Sequence, residues 1–230
     1  MLRSSKWINP YIILCNKGLK NLYPFTSDQI SAAEREQLRS CMDSYQEIYC
    51  ELGSGSGGHL IERARRSPHA LFVGFELRFK RVYRSAEKAL HAGASNALFL
   101  RTDAHSISEL LPADSLSGVY VNFPDPWDKK RWNKHRLLTA EFLECIAALV
   151  KTDGFFAYKT DHRKYFDEIS QHLRASGSFQ LEAETHAFHS SEFADDNVPS
   201  EFENLFQSKY LPICYLRAVK IGGIIGKTVL

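Results

Sequence analysis

IYCELGSGSGG, residues 48–58, runs from a short apolar stretch through Glu51 into four glycines within six positions. Glycines directly after a strand let the backbone turn tightly and approach a ligand without a Cβ in the way. Working outward, Ile48–Glu51 reads as a buried strand, and Ala70–Glu76, Ala97–Leu100, Gly118–Asn122 and Phe155–Lys159 repeat the pattern. Phe179–Thr185 and Tyr210–Lys220 supply two more, for seven in all. Helical stretches near 58–66, 78–91, 137–150 and 163–176 fall between them. Strands alternating with helices predict an α/β fold whose mainly parallel sheet is covered on both faces.

The helix over 78–91 can be checked by angle. At about 100° per residue, Phe79, Val82, Tyr83, Ala86, Ala89 and Leu90 share one face, and Lys80, Arg81, Arg84 and Lys88 the other. Residues 1–45 show no such alternation. They hold Pro10, Pro24 and a helix-like Ser27–Met42 stretch that Thr26 or Ser27 could cap, and they read as an extension packed on a main domain of 46–230. The polar stretch 186–209 reads as a functional loop.

A chain of 230 residues with 44% hydrophobic and 24% charged residues is long enough to bury a core without staples. Its five cysteines, Cys15, Cys41, Cys50, Cys145 and Cys214, are scattered, with no CxxC or Cys/His spacing, so no metal site is expected and reduced thiols are. The apolar run Tyr11–Cys15 is too short for a signal peptide, and nothing approaches the ~20 residues of a membrane span. The expected setting is the cytoplasm, with no membrane and no obligate protein partner.

Gly53, Gly55 and Gly58 also satisfy the dinucleotide GxGxxG pattern, a weak signal alone. Two features favour S-adenosylmethionine over a dinucleotide. Glu51 closes the first strand, where a carboxylate would repel a pyrophosphate but attract a sulfonium and an ammonium. Glu76 then closes the second strand at the ribose-gripping distance, and Asp103-Ala104 follows the third, at the position for adenine. Any one of these acids could be a helix cap; all three together fit a methyl-donor site better.

After the fourth strand comes Asn122-Phe-Pro-Asp-Pro-Trp127, in which two prolines fix the backbone around Asp125. Next is Asp128-Lys-Lys-Arg-Trp-Asn-Lys-His-Arg136, with five Lys/Arg in its last eight residues. Basic side chains neutralise phosphates and aromatic faces stack on bases, so the acceptor is read as a nucleic acid.

ELGSGSG at 51–57, GFE at 74–76, DA at 103–104, FPDPWDKKRWNKHR at 123–136, KTD at 159–161 and VPSEFENLF at 198–206 together resemble the bacterial TrmB-type tRNA (guanine-N7)-methyltransferases. The resemblance implies a class I, Rossmann-like S-adenosylmethionine-dependent methyltransferase fold of seven strands, the last antiparallel. It implies methylation of a guanine N7 in tRNA, in the variable loop, with cofactor contacts at Glu51, Glu76, Asp103 and Asp125 beside Gly53, Gly55 and Ala104. Asp125 is also the implied catalytic residue. Substrate contacts would come from Lys129, Asp161 and the Ser200–Glu203 segment, where Ser200 stands in place of the family's usual Thr. Three rival readings remain at this point: an amino-nitrogen methylase, suggested by Asn122-Phe-Pro, a non-catalytic RNA-binding protein, and an NAD dehydrogenase.

Overall fold

The computed structural model describes residues 8–23 and 31–222. In chain order the strands are β1 (Leu22–Tyr23), β2 (Ile48–Leu52), β3 (Leu71–Phe75), β4 (Ala97–Leu100), β5 (Leu116–Asn122), β6 (Val150–Thr160), β7 (Phe179–Thr185) and β8 (Cys214–Lys220). They form one sheet in the order β1-β4-β3-β2-β5-β6-β8-β7. β8 runs antiparallel to both its neighbours, and the other pairings are parallel. The helices are α1 (Pro10–Lys17), α2 (Ala32–Met42), α3 (Gly58–Arg66), α4 (Phe79–His91), α5 (Ile107–Leu110), α6 (Ala140–Leu149), α7 (Arg163–Ala175) and α8 (Glu201–Ser208).

Residue parity divides the core in two. Cys50, Val73, Leu98, Val119, Phe156 and Leu216 point to one face, where α2, α5, α6 and α7 cover them. Phe72, Ala97 and Phe99 point to the other, under α1, α3 and α4. Fully burying such a side chain is worth about 1.5–3 kcal/mol, so the two layers hold the sheet rigid beneath its loops.

Three expectations are corrected. The sheet has eight strands, not seven, because the stretch before residue 45 contributes β1 at the edge beside β4. α2 is capped by Ser31, whose Oγ accepts from the Glu34 N–H while the Glu34 carboxylate accepts from the Ser31 N–H; Thr26 and Ser27 lie outside the described residues. The stretch 186–209 is not a plain loop: it holds short 3₁₀ turns at Phe188–Ser190 and Glu192–Ala194, then α8.

The glycine run is pinned from behind. Ser85 on α4 donates its hydroxyl to the Gly55 carbonyl at 3.1 Å. Gly57 has φ +77°, and a Cβ there would lie 2.8 Å from the Ser85 Cβ and 3.2 Å from the Phe99 ring. Gly57→Ala should therefore cost roughly 2–4 kcal/mol, combining left-handed strain with overpacking. Urea unfolding measures this, and a variant within about 0.5 kcal/mol of the parent, the usual range for a surface substitution, would show that the contact is not tight.

Candidate active site

The period of two along β2, β5 and β6 carries the polar residues Glu51, Asn122 and Lys159 to the face opposite Cys50 and Phe156. Registry brings them close: Glu51 pairs with Tyr120, and Asn122 with Lys159. Glu51 is only 2% exposed. Its Oε1 accepts from the Asn122 amide at 2.9 Å and lies 3.2 Å from His59 Nδ1 on α3. Its Oε2 is equally dry and has no hydrogen-bond partner among the described residues. Leaving a buried charged oxygen unpaired costs more than the ~1–3 kcal/mol of a neutral group, and at the end of a strand beside a glycine loop a bound cation is one partner that would satisfy it.

Glu76, at the end of β3, is also buried. Its Oε1 accepts from the Arg78 backbone N–H at 2.7 Å. Burial pushes its carboxyl above the usual carboxylate range, against the opposing pull of the Arg78 and Gly55 N–H groups and the Arg81 and Arg78 charges. Beside it, Gly53 (φ +76°) and Gly55 (φ +56°) turn their Cβ positions toward open space, in contrast to Gly57. Asp103 is exposed and caps the 3₁₀ turn Ala104–Ser106, its Oδ1 accepting from the His105 backbone N–H at 2.9 Å. Burial works to raise its pKa, but the His105 N–H and imidazole overcome that and lower it. Ala104 is half-buried against the core.

These features fit S-adenosylmethionine. A bare carboxylate oxygen suits an ammonium, a second buried carboxylate suits ribose hydroxyls, and the glycine loop between them lets a ligand approach the backbone.

Past β5 the chain turns sharply. Phe123 (φ 52°) and Trp127 (φ 46°) are left-handed residues on either side of Pro124-Asp125-Pro126. Such strain, of order 1–3 kcal/mol each, persists only where its surroundings enforce it. Asp125 is exposed and makes no hydrogen bond or ion pair among the described residues. In the basic segment, Lys129 Nζ sits 4.7 Å above the Trp132 ring and the Arg131 guanidinium 5.1 Å from it, both exposed. Arg136 is not part of that basic surface: it is buried, donating through Nε to the Pro126 carbonyl at 2.7 Å and through its guanidinium to Glu168. It anchors the loop from below. Asp161 is exposed nearby in sequence, and Asp128 pairs with His162 at 2.6 Å.

Ser200 and Glu203 lie at the start of α8. The Ser200 Oγ accepts from the Glu203 N–H at 3.1 Å. The Glu203 side chain is fully buried, 2.9 Å from Lys159 Nζ and accepting from the Asn197 amide at 2.6 Å. Here the structure departs from the expectation of direct substrate contact, because no part of Glu203 reaches solvent. Burial depresses the Lys159 pKa, with Glu203 pulling the other way.

His59, Asn197 and Lys159 complete the arrangement, and none was predicted a role. A charged residue closing an otherwise apolar strand was the available signal for Lys159. A cavity of about 650 Å³ lies lower on this sheet face, between Tyr49, Tyr120, Phe155, Arg63 and Arg217. It meets the site at His59, Asn122 and Lys159, but Glu51, Glu76 and Asp103 do not line it.

The raised Glu76 pKa sets a pH dependence. Stability from a raised carboxyl is fully present below its ordinary value of 4.5 and lost as pH climbs through the raised value. At neutral pH the ionised carboxylate therefore costs stability in the ligand-free protein. Glu76→Gln should raise the Tm at pH 8, with a smaller gain at pH 5. An equal change at both pH values would contradict the assignment.

The sequence profile of a family described as "Putative methyltransferase" matches residues 45–216. A tRNA (guanine-N(7)-)-methyltransferase of Lachnoclostridium phytofermentans is 35% identical over 173 residues, covering 75% of this chain and 80% of that one. One from Bdellovibrio bacteriovorus is 32% identical over 179 residues, covering 78% and 85%. A bifunctional glycosyltransferase/methyltransferase of Fusobacterium nucleatum is 33% identical over 82% of this chain, which spans only 29% of that longer protein. Among solved structures, the antibiotic-resistance methyltransferase Kmr aligns with a TM-score of 0.60 at 19% identity, covering 88% of this chain and 98% of that one. That likeness shows the fold, that of a class I methyltransferase, and with the family match over residues 45–216 the dinucleotide reading of the glycine run falls. With that fold, and with relatives matched over three quarters of its length, the chain belongs to the TrmB-type tRNA (guanine-N7)-methyltransferase family.

Proposed function

We propose that this protein methylates N7 of a guanine in the variable loop of tRNA, in the cytoplasm, using S-adenosylmethionine. The observation that carries the reading is Glu51, a dry carboxylate with one bare oxygen at the end of β2. The bound cofactor supplies an electrophilic methyl group on a sulfonium. Glu51 Oε2 would receive the ammonium, Glu76 the ribose hydroxyls, and Gly53 and Gly55 would allow the close approach, with Asp103 and Ala104 placed to flank the adenine. The catalytic unit is residues 46–230, with 1–45 as an extension whose β1 borders the sheet.

Guanine N7 has an in-plane lone pair and needs no base to expose it, so this chain's task is orientation. Positive charge passes onto the purine as the methyl moves, and a fixed carboxylate stabilises it. Asp125 is held between two prolines and has no partner among the described residues, so it can serve. Lys129 and Arg131, spread over Trp132, supply phosphate contacts on one side of it. Asp161 and the Ser200–Glu203 segment bound the substrate on the other side, Glu203 acting through what it holds in place.

Incubating bulk tRNA with the protein and labelled cofactor, then cleaving chemically at N7-methylated guanines, should give one cut in the variable loop. Label at an exocyclic amine, or none, would overturn the proposal. Asp125→Asn should slow single-turnover transfer at saturating cofactor and tRNA by about 10²–10³-fold, with tRNA affinity little changed. A saturated rate equal to the parent's would remove Asp125 from catalysis and leave it a binding residue.

A further inference from the structure

We infer that α8 is a stacking platform for the target base: Phe202, backed by Phe206 and Phe123, receives the face of the guanine, and the buried Lys159–Glu203 pair holds the platform in place. The inference rests on the proposed function and names the surface that would present the base.

Four observations lead to it. Phe202 and Leu205 are each 44% exposed on a helix of only eight residues. Phe202 and Phe206 are stacked, with centroids 6.3 Å apart and planes 24° from parallel, and Phe206 lies 5.4 Å from Phe123. Phe123 is the left-handed residue two positions before Asp125, so the ring ladder is continuous with the strained loop carrying the free carboxylate. Lastly, α8 does not stay in place by its own helicity, since isolated helices this short are marginal. Its fixation comes from Glu203, fully buried against Lys159 and Asn197, and from the cap at Ser200. A buried ion pair is weak evidence for stability, but this one fixes where the helix sits.

The chemistry favours a nucleobase as the occupant. A guanine must leave its stack before N7 can be aligned in an enclosed site, and that costs a few kcal/mol. An aromatic face beside the reaction site offsets the cost by restacking the base. The cations on Trp132, beyond Asp125, supply the complementary phosphate contacts. Aromatic stack, carboxylate and basic loop thus gather past the carboxyl ends of β5 and β6.

The test compares Phe202→Leu with Phe202→Trp in the full chain, on tRNA with guanine or 2-aminopurine at the position methylated by the parent. The leucine variant should lose roughly 10- to 100-fold in tRNA affinity or single-turnover rate, the scale of one lost base–aromatic stack, and the tryptophan variant should retain function. The parent and the tryptophan variant should quench 2-aminopurine fluorescence on binding, and the leucine variant should not. Calorimetric binding of S-adenosylhomocysteine, unchanged in both variants, confirms that the fold and cofactor pocket are intact. If the leucine variant methylates and quenches like the parent, the platform is refuted while the proposed function stands. A parent that leaves tRNA unmethylated refutes the proposed function itself.

Discussion

A carboxylate removed from water must be paired, and Glu51 is paired through only one of its oxygens. Much of the site follows from that constraint. Asn122 reaches Glu51 because β5 lies beside β2, and His59 reaches it because α3 begins directly after the glycine run. The Asn122 amide is thereby fixed at the point where the chain must turn into Phe123. The Asn122 amide, a neutral donor, holds the carboxylate in position without cancelling its charge, which leaves that charge available to a cation.

A third buried carboxylate, beyond Glu51 and Glu76, is treated differently. Glu203 has a lysine, an asparagine amide and its own helix start as partners, so it has little capacity left for a ligand. One face of the sheet therefore carries a carboxylate kept receptive and a carboxylate kept satisfied. The first suits binding and the second suits construction, since the Lys159–Glu203 contact fixes α8 against the end of β6. Arg136 plays a similar constructive part under the Asp125 loop, where its bond to the Pro126 carbonyl helps hold a backbone bracketed by two left-handed residues.

Much of this was legible in the sequence. β2 to β8 and the longer helices follow from alternating apolar periodicity, and the acids at 51, 76 and 103 were visible because each follows an apolar run. β1 was not, since two residues carry no period and their pairing with β4 is set by the tertiary fold. α8 was hidden for a related reason: it is short, it turns Phe202 and Leu205 outward, and it buries a glutamate, the reverse of a helical pattern. Arg136 was grouped with its basic neighbours because composition does not report which way a side chain points. Its contacts with Tyr165 and Glu168 come from α7, about thirty residues away in sequence. The contact role expected of Glu203 met the same obstacle, because burial is decided by Lys159 across the sheet.

The central claim is that Glu51 keeps one oxygen for the ammonium of the methyl donor. It is tested most directly by calorimetry of two ligands on the parent and on Glu51→Gln. S-adenosylhomocysteine carries the ammonium, and 5′-methylthioadenosine keeps the nucleoside and thioether without it. The account predicts that the substitution weakens S-adenosylhomocysteine about 10- to 100-fold, the scale of a charged hydrogen bond, and leaves methylthioadenosine within about a factor of two. Equal weakening of both ligands, or no change in either, would contradict it.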